Sequence, residues 1–232
     1  VSALIDEQDT LQGEPGWFNS MYFDEIYHAR TGYEHWVGMN PYETTHPPLG
    51  KALISWCIGL FGMTPFGWRF AGTLAGVLML PGLYMTARLL FKKRRYAVLC
   101  CLMLALDTLH YTQTRLATID SFVTLFIIWS YYYMFRWMMC DFFGQPLRRS
   151  LIPLGLSGLM MGLAVASKWT GCYAGVGLAI LFFISVGRRL YTIRQAKQGK
   201  TTAGEPTQNA IKYVMISDPK KIFSFSVSEE SK

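Results

Sequence analysis

Residues 70–87 read "FAGTLAGVLMLPGLYMTA", an uncharged run bounded by Arg69 and Arg88. A helix needs about 20 mostly apolar residues to cross the roughly 30 Å hydrocarbon layer. This stretch is long enough, and Pro81 predicts a kink within it. It sets the fold class: an all-α, polytopic membrane protein. The rest of the composition agrees. Of 232 residues, 51% are apolar and only 16% are charged, against about 25% charged in a typical soluble domain. Mean hydropathy is +0.21.

Working outward, a basic cluster follows at Lys92, Lys93, Arg94 and Arg95. The next run, "YAVLCCLMLALDTLHYTQT" (96–114), predicts a second span that ends at Arg115 and carries Asp107 in its middle. "SFVTLFIIWSYYYMF" (121–135) predicts a third, with Trp and Tyr crowded toward Arg136 as interfacial aromatics are. "SLIPLGLSGLMMGLAVAS" (150–167) and "WTGCYAGVGLAILFFISVG" (169–187) predict a fourth and a fifth, with small residues suited to close helix packing. Upstream, "ALISWCIGLFGMTPFG" (52–67) is too short to span and is broken by glycines and Pro65, so it predicts an interfacial helix. The organisation that follows is a polar loop over 1–50, a membrane domain over 51–190 and a polar, flexible cytoplasmic tail over 191–232. The chain starts at Val1, shows no signal peptide, and is expected to be part of a longer protein.

A net charge of +7 raises nucleic acid as a partner. The cations instead sit in short clusters beside apolar runs: 92–95, Arg148 with Arg149, and Arg188 with Arg189. That is the positive-inside pattern of a membrane protein, and no nucleic-acid partner is expected. With these clusters in the cytoplasm, alternation of spans brings Asp24, Glu25, His46, Lys51, Arg69, Arg115, Asp120 and Lys168 to the opposite face. The five cysteines form no CxxC and read as small apolar packers. His28, His35 and His46 lack a metal-ligand spacing, so no metal is expected.

Each isolated charge has a plain reading and a sharper one. A lone charge at mid-bilayer costs about 2.5–3.5 kcal/mol on insertion scales. On one continuous helix Asp107, Tyr111 and Arg115 would share a face, either as a structural contact or as support that positions Arg115. Arg115 and Asp120 bracket a tight turn. They read as an ion pair, or Arg115 reads as a fork for an anionic group at the membrane surface. Lys168 and Lys51 either snorkel or join Arg69 and Arg115 in a cationic pocket. Adjacent Asp24 and Glu25 point about 100° apart on a helix, so one faces a site while the other makes structural bonds. "THPPLGK" (45–51) is a stiff lead-in to a helix.

The ordered blocks "YFDEIYHA" (22–29), "THPPLGK" (45–51), "FGWRFAGTL" (66–74), "LDTLHYTQTRLATIDSF" (106–122) and "ASKWTG" (166–171) together resemble the protein O-mannosyltransferases. More closely, they resemble the bacterial form of the dolichyl-phosphate-mannose–protein mannosyltransferases, in the glycosyltransferase C superfamily. The resemblance covers about Phe18 to Arg189 and implies a partial transmembrane bundle of that type. It implies inverting transfer of mannose from a polyprenyl- or dolichyl-phosphate carrier to Ser or Thr of a protein. The reaction would occur on the outer face of the cell membrane, or in the endoplasmic reticulum lumen of a eukaryote. It implies Asp24 as general base with Glu25 supporting it, and Arg115 on the donor phosphate with Lys168 or Arg69 assisting. His46 and Lys51 would shape the acceptor side, with no cofactor; Asp107 and Asp120 would stand behind the residues that touch substrate, Asp107 positioning Arg115 or a neighbour. The family carries a further span before the Asp-Glu loop and several after the last one here. Three alternatives remain: a related enzyme with a lipid or glycan acceptor, a transporter, and a non-catalytic membrane subunit.

Overall fold

The computed structural model describes residues 21, 23–140 and 147–197. Residues 1–20 of the expected 1–50 loop lie outside them, as does the tail beyond 197. Eight helices are present among the described residues, and no strand: α1 Phe23–Val37, α2 Leu49–Phe61, α3 Pro65–Phe91, α4 Arg94–Ala105, α5 Thr108–Thr114, α6 Asp120–Met138, α7 Leu147–Ser167 and α8 Gly171–Lys197. Three are long and apolar enough to cross a membrane: Pro65–Phe91, Arg148–Ser167 and Gly171–Gln195. Their outward side chains, such as Leu74, Val77, Ile152, Leu159, Phe183 and Ile184, are apolar and exposed. That pattern suits hydrocarbon, where lipid takes the place of a packed neighbour. The chain is a helical, multi-pass membrane protein.

The ends of α3 show why it forms. Thr64 accepts from the Gly67 N–H at 3.2 Å, and Pro65 opens the first turn, where its missing N–H costs nothing. The helix stops at Lys92, which takes the left-handed conformation at φ 57°. Pro81 lies inside the helix, a position that membrane helices tolerate. The turn between α2 and α3 passes through Gly62 at φ 82°, where a side chain would be strained.

The expected second span is corrected. It divides into a 12-residue α4 and a 7-residue α5. The physical reason is Asp107, whose carboxylate caps α5 by accepting from the His110 N–H at 2.7 Å. A capping Asp competes with continued helix. Asp107, Tyr111 and Arg115 therefore do not share one continuous helical face; Asp107 is exposed and occupied at the cap. Two further boundaries shift. The 1–50 segment, expected as loop, contains α1, and α8 continues past residue 190 to Lys197. The cysteines are unbridged, four half-buried and Cys172 exposed, and none is in the core.

Contacts divide the described residues into two compact units. The first takes those up to Tyr133 together with Leu156–Gly175; the second takes those of Met134–Gly155 and those from Val176 onward. In the second, the Arg189 guanidinium lies 4.0 Å over Trp137, which stacks on Phe182 at 5.5 Å.

The first unit holds the core, which includes Ala29, Ile54, Ile58, Trp68, Ile119 and Phe122. Helices α1 and α2 lie side by side and run the same way, with Gly32 against Ile54 and Gly59 against Trp36. On α3, Gly72 admits the 114–116 backbone and Gly76 admits the Thr114 side chain. A Cβ at Gly72 would sit 2.8 Å from the Leu116 carbonyl oxygen. This close approach brings the α5–α6 connection onto the first turns of α3. Ser130 and Ser157 exchange hydrogen bonds between α6 and α7, and Tyr131 donates to the Ala174 carbonyl at 2.9 Å.

Candidate functional site

Asp24 and Glu25 open α1, where negative charge complements the helix dipole. Being adjacent on a helix they point apart, and their surroundings differ. Glu25 is fully buried. It accepts a bidentate pair from Arg69, Nε at 2.7 Å and Nη2 at 2.8 Å, and a third bond from the Ala117 N–H at 3.1 Å. One carboxylate thus ties α1 to the start of α3 and to the α5–α6 connection. Arg115 stands two residues before Ala117. Asp24 and Arg115 are therefore carried on segments joined at Glu25.

Asp24 is part-exposed and lines a cavity of about 490 Å³ with Tyr27, His28, Tyr42, Glu43, Thr44, Thr45 and His46. The 42–46 loop is built by charge. Lys51, nearly inaccessible at 1%, donates to the Glu43 carboxylate at 2.6 Å and to the Glu43 and His46 carbonyls at 2.8 and 3.0 Å. The same carboxylate accepts from the Thr45 and His46 N–H groups at 2.6 and 3.2 Å. Buried Glu34 accepts from Arg30 at 2.9 Å and from the Tyr42 N–H at 2.6 Å, and Arg30 lies 4.1 Å over the Tyr42 ring. Burial alone would raise the Glu43 carboxyl above its ordinary 4.5. The hydrogen bond and charge of Lys51 outweigh it and hold the group at about 2. His28 is lowered from 6.5 chiefly by burial, against the opposing charges of Glu43 and Asp24.

The expected cationic pocket takes a different form. Lys51 is turned into the loop, and Arg69 is engaged by Glu25. Lys168 donates to Asp120 at 2.7 Å, joining the α7–α8 corner to the start of α6. Arg115 is exposed; it donates to the Tyr111 hydroxyl at 2.8 Å and lies 4.9 Å over that ring. Asp107 stays at its cap.

The family described as "Dolichyl-phosphate-mannose-protein mannosyltransferase" matches residues 45–200. The chain belongs to that family. Among curated relatives, the polyprenol-phosphate-mannose–protein mannosyltransferase of Mycobacterium tuberculosis is 28% identical over 196 residues, covering 75% of this chain and 38% of the relative. That of Corynebacterium glutamicum is 26% identical over 66% of the chain and 33% of its own length. Dolichyl-phosphate-mannose–protein mannosyltransferase 4 of Saccharomyces cerevisiae is 25% identical over 70% of the chain and 24% of its own length. The chain thus spans about two fifths, or less, of the relatives' lengths. No solved structure matches it. Asp24 and Glu25 precede the residues matched to the mannosyltransferase family, whereas Glu43 through Lys51 straddle their start.

Sequence reasoning missed Glu43 and His28 as lining of this cavity, and Glu34 as a support of its loop. The only signal for Glu43 was a carboxylate eight residues before a lysine that had to be buried. The Glu43–Lys51 pair makes a prediction. The Glu43 pKa is depressed, so its contribution to stability is complete above 4.5 and is lost as pH falls through about 2. Lys51→Met is expected to cost about 3 kcal/mol, the low end for a broken buried pair because Glu43 is partly solvated. It should also flatten the acid slope below pH 4.5 that the unaltered protein shows. Thermal unfolding in detergent across that range reads both effects.

Proposed function

We propose that the protein transfers mannose from a polyprenyl- or dolichyl-phosphate carrier to serine or threonine hydroxyls of a protein. The reaction inverts the sugar carbon and takes place on the extracytoplasmic face of the membrane, or in the endoplasmic reticulum lumen in a eukaryotic cell. The observation that carries this reading is the Glu25 tie. It sets an acid-lined pocket open to water beside a segment bearing an exposed arginine, at the border of a membrane domain. The names of the relatives supply the sugar and the two substrates.

In this reading the acceptor oxygen attacks C1 of the mannose while the bond from C1 to the phosphate oxygen breaks. The hydroxyl proton goes to Asp24, because an alcohol is a poor nucleophile until a base removes that proton. The leaving phosphate gains negative charge as the bond breaks. A cation already in place beside it lowers the barrier most. Arg115 is assigned that role, since a guanidinium presents two parallel donors to phosphate. Lys168, with Asp120 as its partner, assists at the same rim, while Arg69 acts through Glu25. No cofactor enters the scheme.

The test is mass spectrometry of a Ser/Thr peptide incubated with polyprenyl-phosphate mannose and membranes of cells expressing the protein. A hexose added to the peptide is expected. A sugar appearing only on lipid or glycan would replace this reading with that of a related lipid-carrier transferase. Arg115→Ala should lower transfer about 100-fold, the scale for losing one transition-state donor. Transfer close to that of the unaltered protein would remove Arg115 from the donor site.

A further inference from the structure

The cavity beside Asp24 is larger than one hydroxyl side chain requires, and its lining has a particular chemistry. No arginine or lysine lines it. Lys51 is 1% exposed and bonded to the loop, and Arg30, which lies over the Tyr42 ring, is paired with Glu34. A phosphate-linked donor would find no countercharge here, so the cavity suits the uncharged substrate. Its walls carry two histidines, His28 on α1 and His46 on the loop, with ring centroids 6.3 Å apart. His28 is 5% exposed, yet its Nδ1 has no hydrogen-bond partner among the described residues, and neither does the Nδ1 of His46.

Buried polar nitrogens almost always have partners, so two orphans on one cavity wall call for a reason. A ligand that supplies the partners is such a reason. The last torsion of a histidine is soft, so a modest rotation can bring Nδ1 to an entering group. His28 also stands one helical turn from Asp24, about 6 Å along α1.

We infer that His28, with His46 beside it in the cavity lining, hydrogen-bonds the main chain of the acceptor segment next to the hydroxyl that Asp24 deprotonates. This rests on the mannosyl-transfer reading. Neutral imidazole suits the task because it offers both a donor and an acceptor to peptide groups. Burial keeps the His28 ring neutral below the ordinary histidine range despite Asp24 and Glu43, while Lys51 and His46 push the same way as burial.

The test compares His28→Leu with His28→Asn in the full protein. Leucine fills the space without a polar atom, and asparagine keeps one near the Nδ1 position. The Michaelis constant for a Ser/Thr peptide should rise about 3- to 10-fold in His28→Leu, the scale of one lost hydrogen bond. It should rise less in His28→Asn. The constant for polyprenyl-phosphate mannose should stay unchanged. The melting temperature of His28→Leu should hold or rise, because removing an unsatisfied buried nitrogen relieves a cost. A purely structural histidine would lower it. Binding of a fluorescent Ser/Thr peptide without donor should weaken by the same factor. That arm reads the subsite independently of transfer, so a failed transfer reading and a failed subsite are distinguishable. Unchanged peptide binding in His28→Leu, or a change confined to the donor constant, would overturn the inference.

Discussion

Asp24→Asn is expected to cut mannose transfer at least about 100-fold, the low end for losing a general acid–base group. Fold and peptide binding should stay nearly unaltered. Asparagine keeps the shape of the side chain, and Asp24 lies part-exposed in an open cavity, outside the core. The loss should fall on kcat more than on either KM, since the proton is taken in the transition state. Initial rates with a Ser/Thr peptide and polyprenyl-phosphate mannose measure it. Retention of more than half the rate would show that another group takes the proton.

Glu25→Ala is expected to do different damage. Its carboxylate is fully buried and receives two bonds from Arg69 and one from the Ala117 N–H. Removing it takes two bonds from the Arg69 guanidinium and one from the Ala117 N–H. Breaking such a pair typically costs about 3–5 kcal/mol, and here it also releases α1 from the 115–119 segment. Both stability and transfer should fall, and the transfer loss should persist below the melting temperature of the variant. Pairing Glu25→Gln with Arg69→Met should restore much of the stability, because an uncharged pair leaves no stranded charge. It should restore little of the activity, because the registry between Asp24 and Arg115 depended on the tie. A double-mutant cycle on melting temperature and rate checks both. Full recovery of activity in the double variant would show that the tie does not set that registry.

The contrast between these carboxylates shows what the sequence made legible. Two adjacent acids at the start of a helix had to diverge, so one structural and one open role could be read from residues 24 and 25 alone. The spans at 65–91 and 171–195 were equally legible, because the uncharged runs inside them, 70–87 and 171–187, have few alternatives. The partners were not legible. Glu25 and Ala117 lie 92 residues apart, and nothing local in "FDEI" or "RLATI" announces the contact. The division of α4 from α5 carried a local signal, Asp107 ahead of "TLHYTQT", but the apolar flanks outweighed it. The pocket loop was hidden for a third reason. Glu43 acquires its role only when Lys51 is buried beneath it, and hydropathy along the chain gives a charged residue no weight as a core group.

The account depends on Asp24 and Arg115 working at one membrane face. Single cysteines at positions 24 and 115, in a background whose five native cysteines are serine, can be exposed to a membrane-impermeant maleimide in intact cells or sealed inverted vesicles. Both positions are expected to react from outside intact cells and to be protected in inverted vesicles. Labelling of the two from opposite sides of the bilayer would contradict the account.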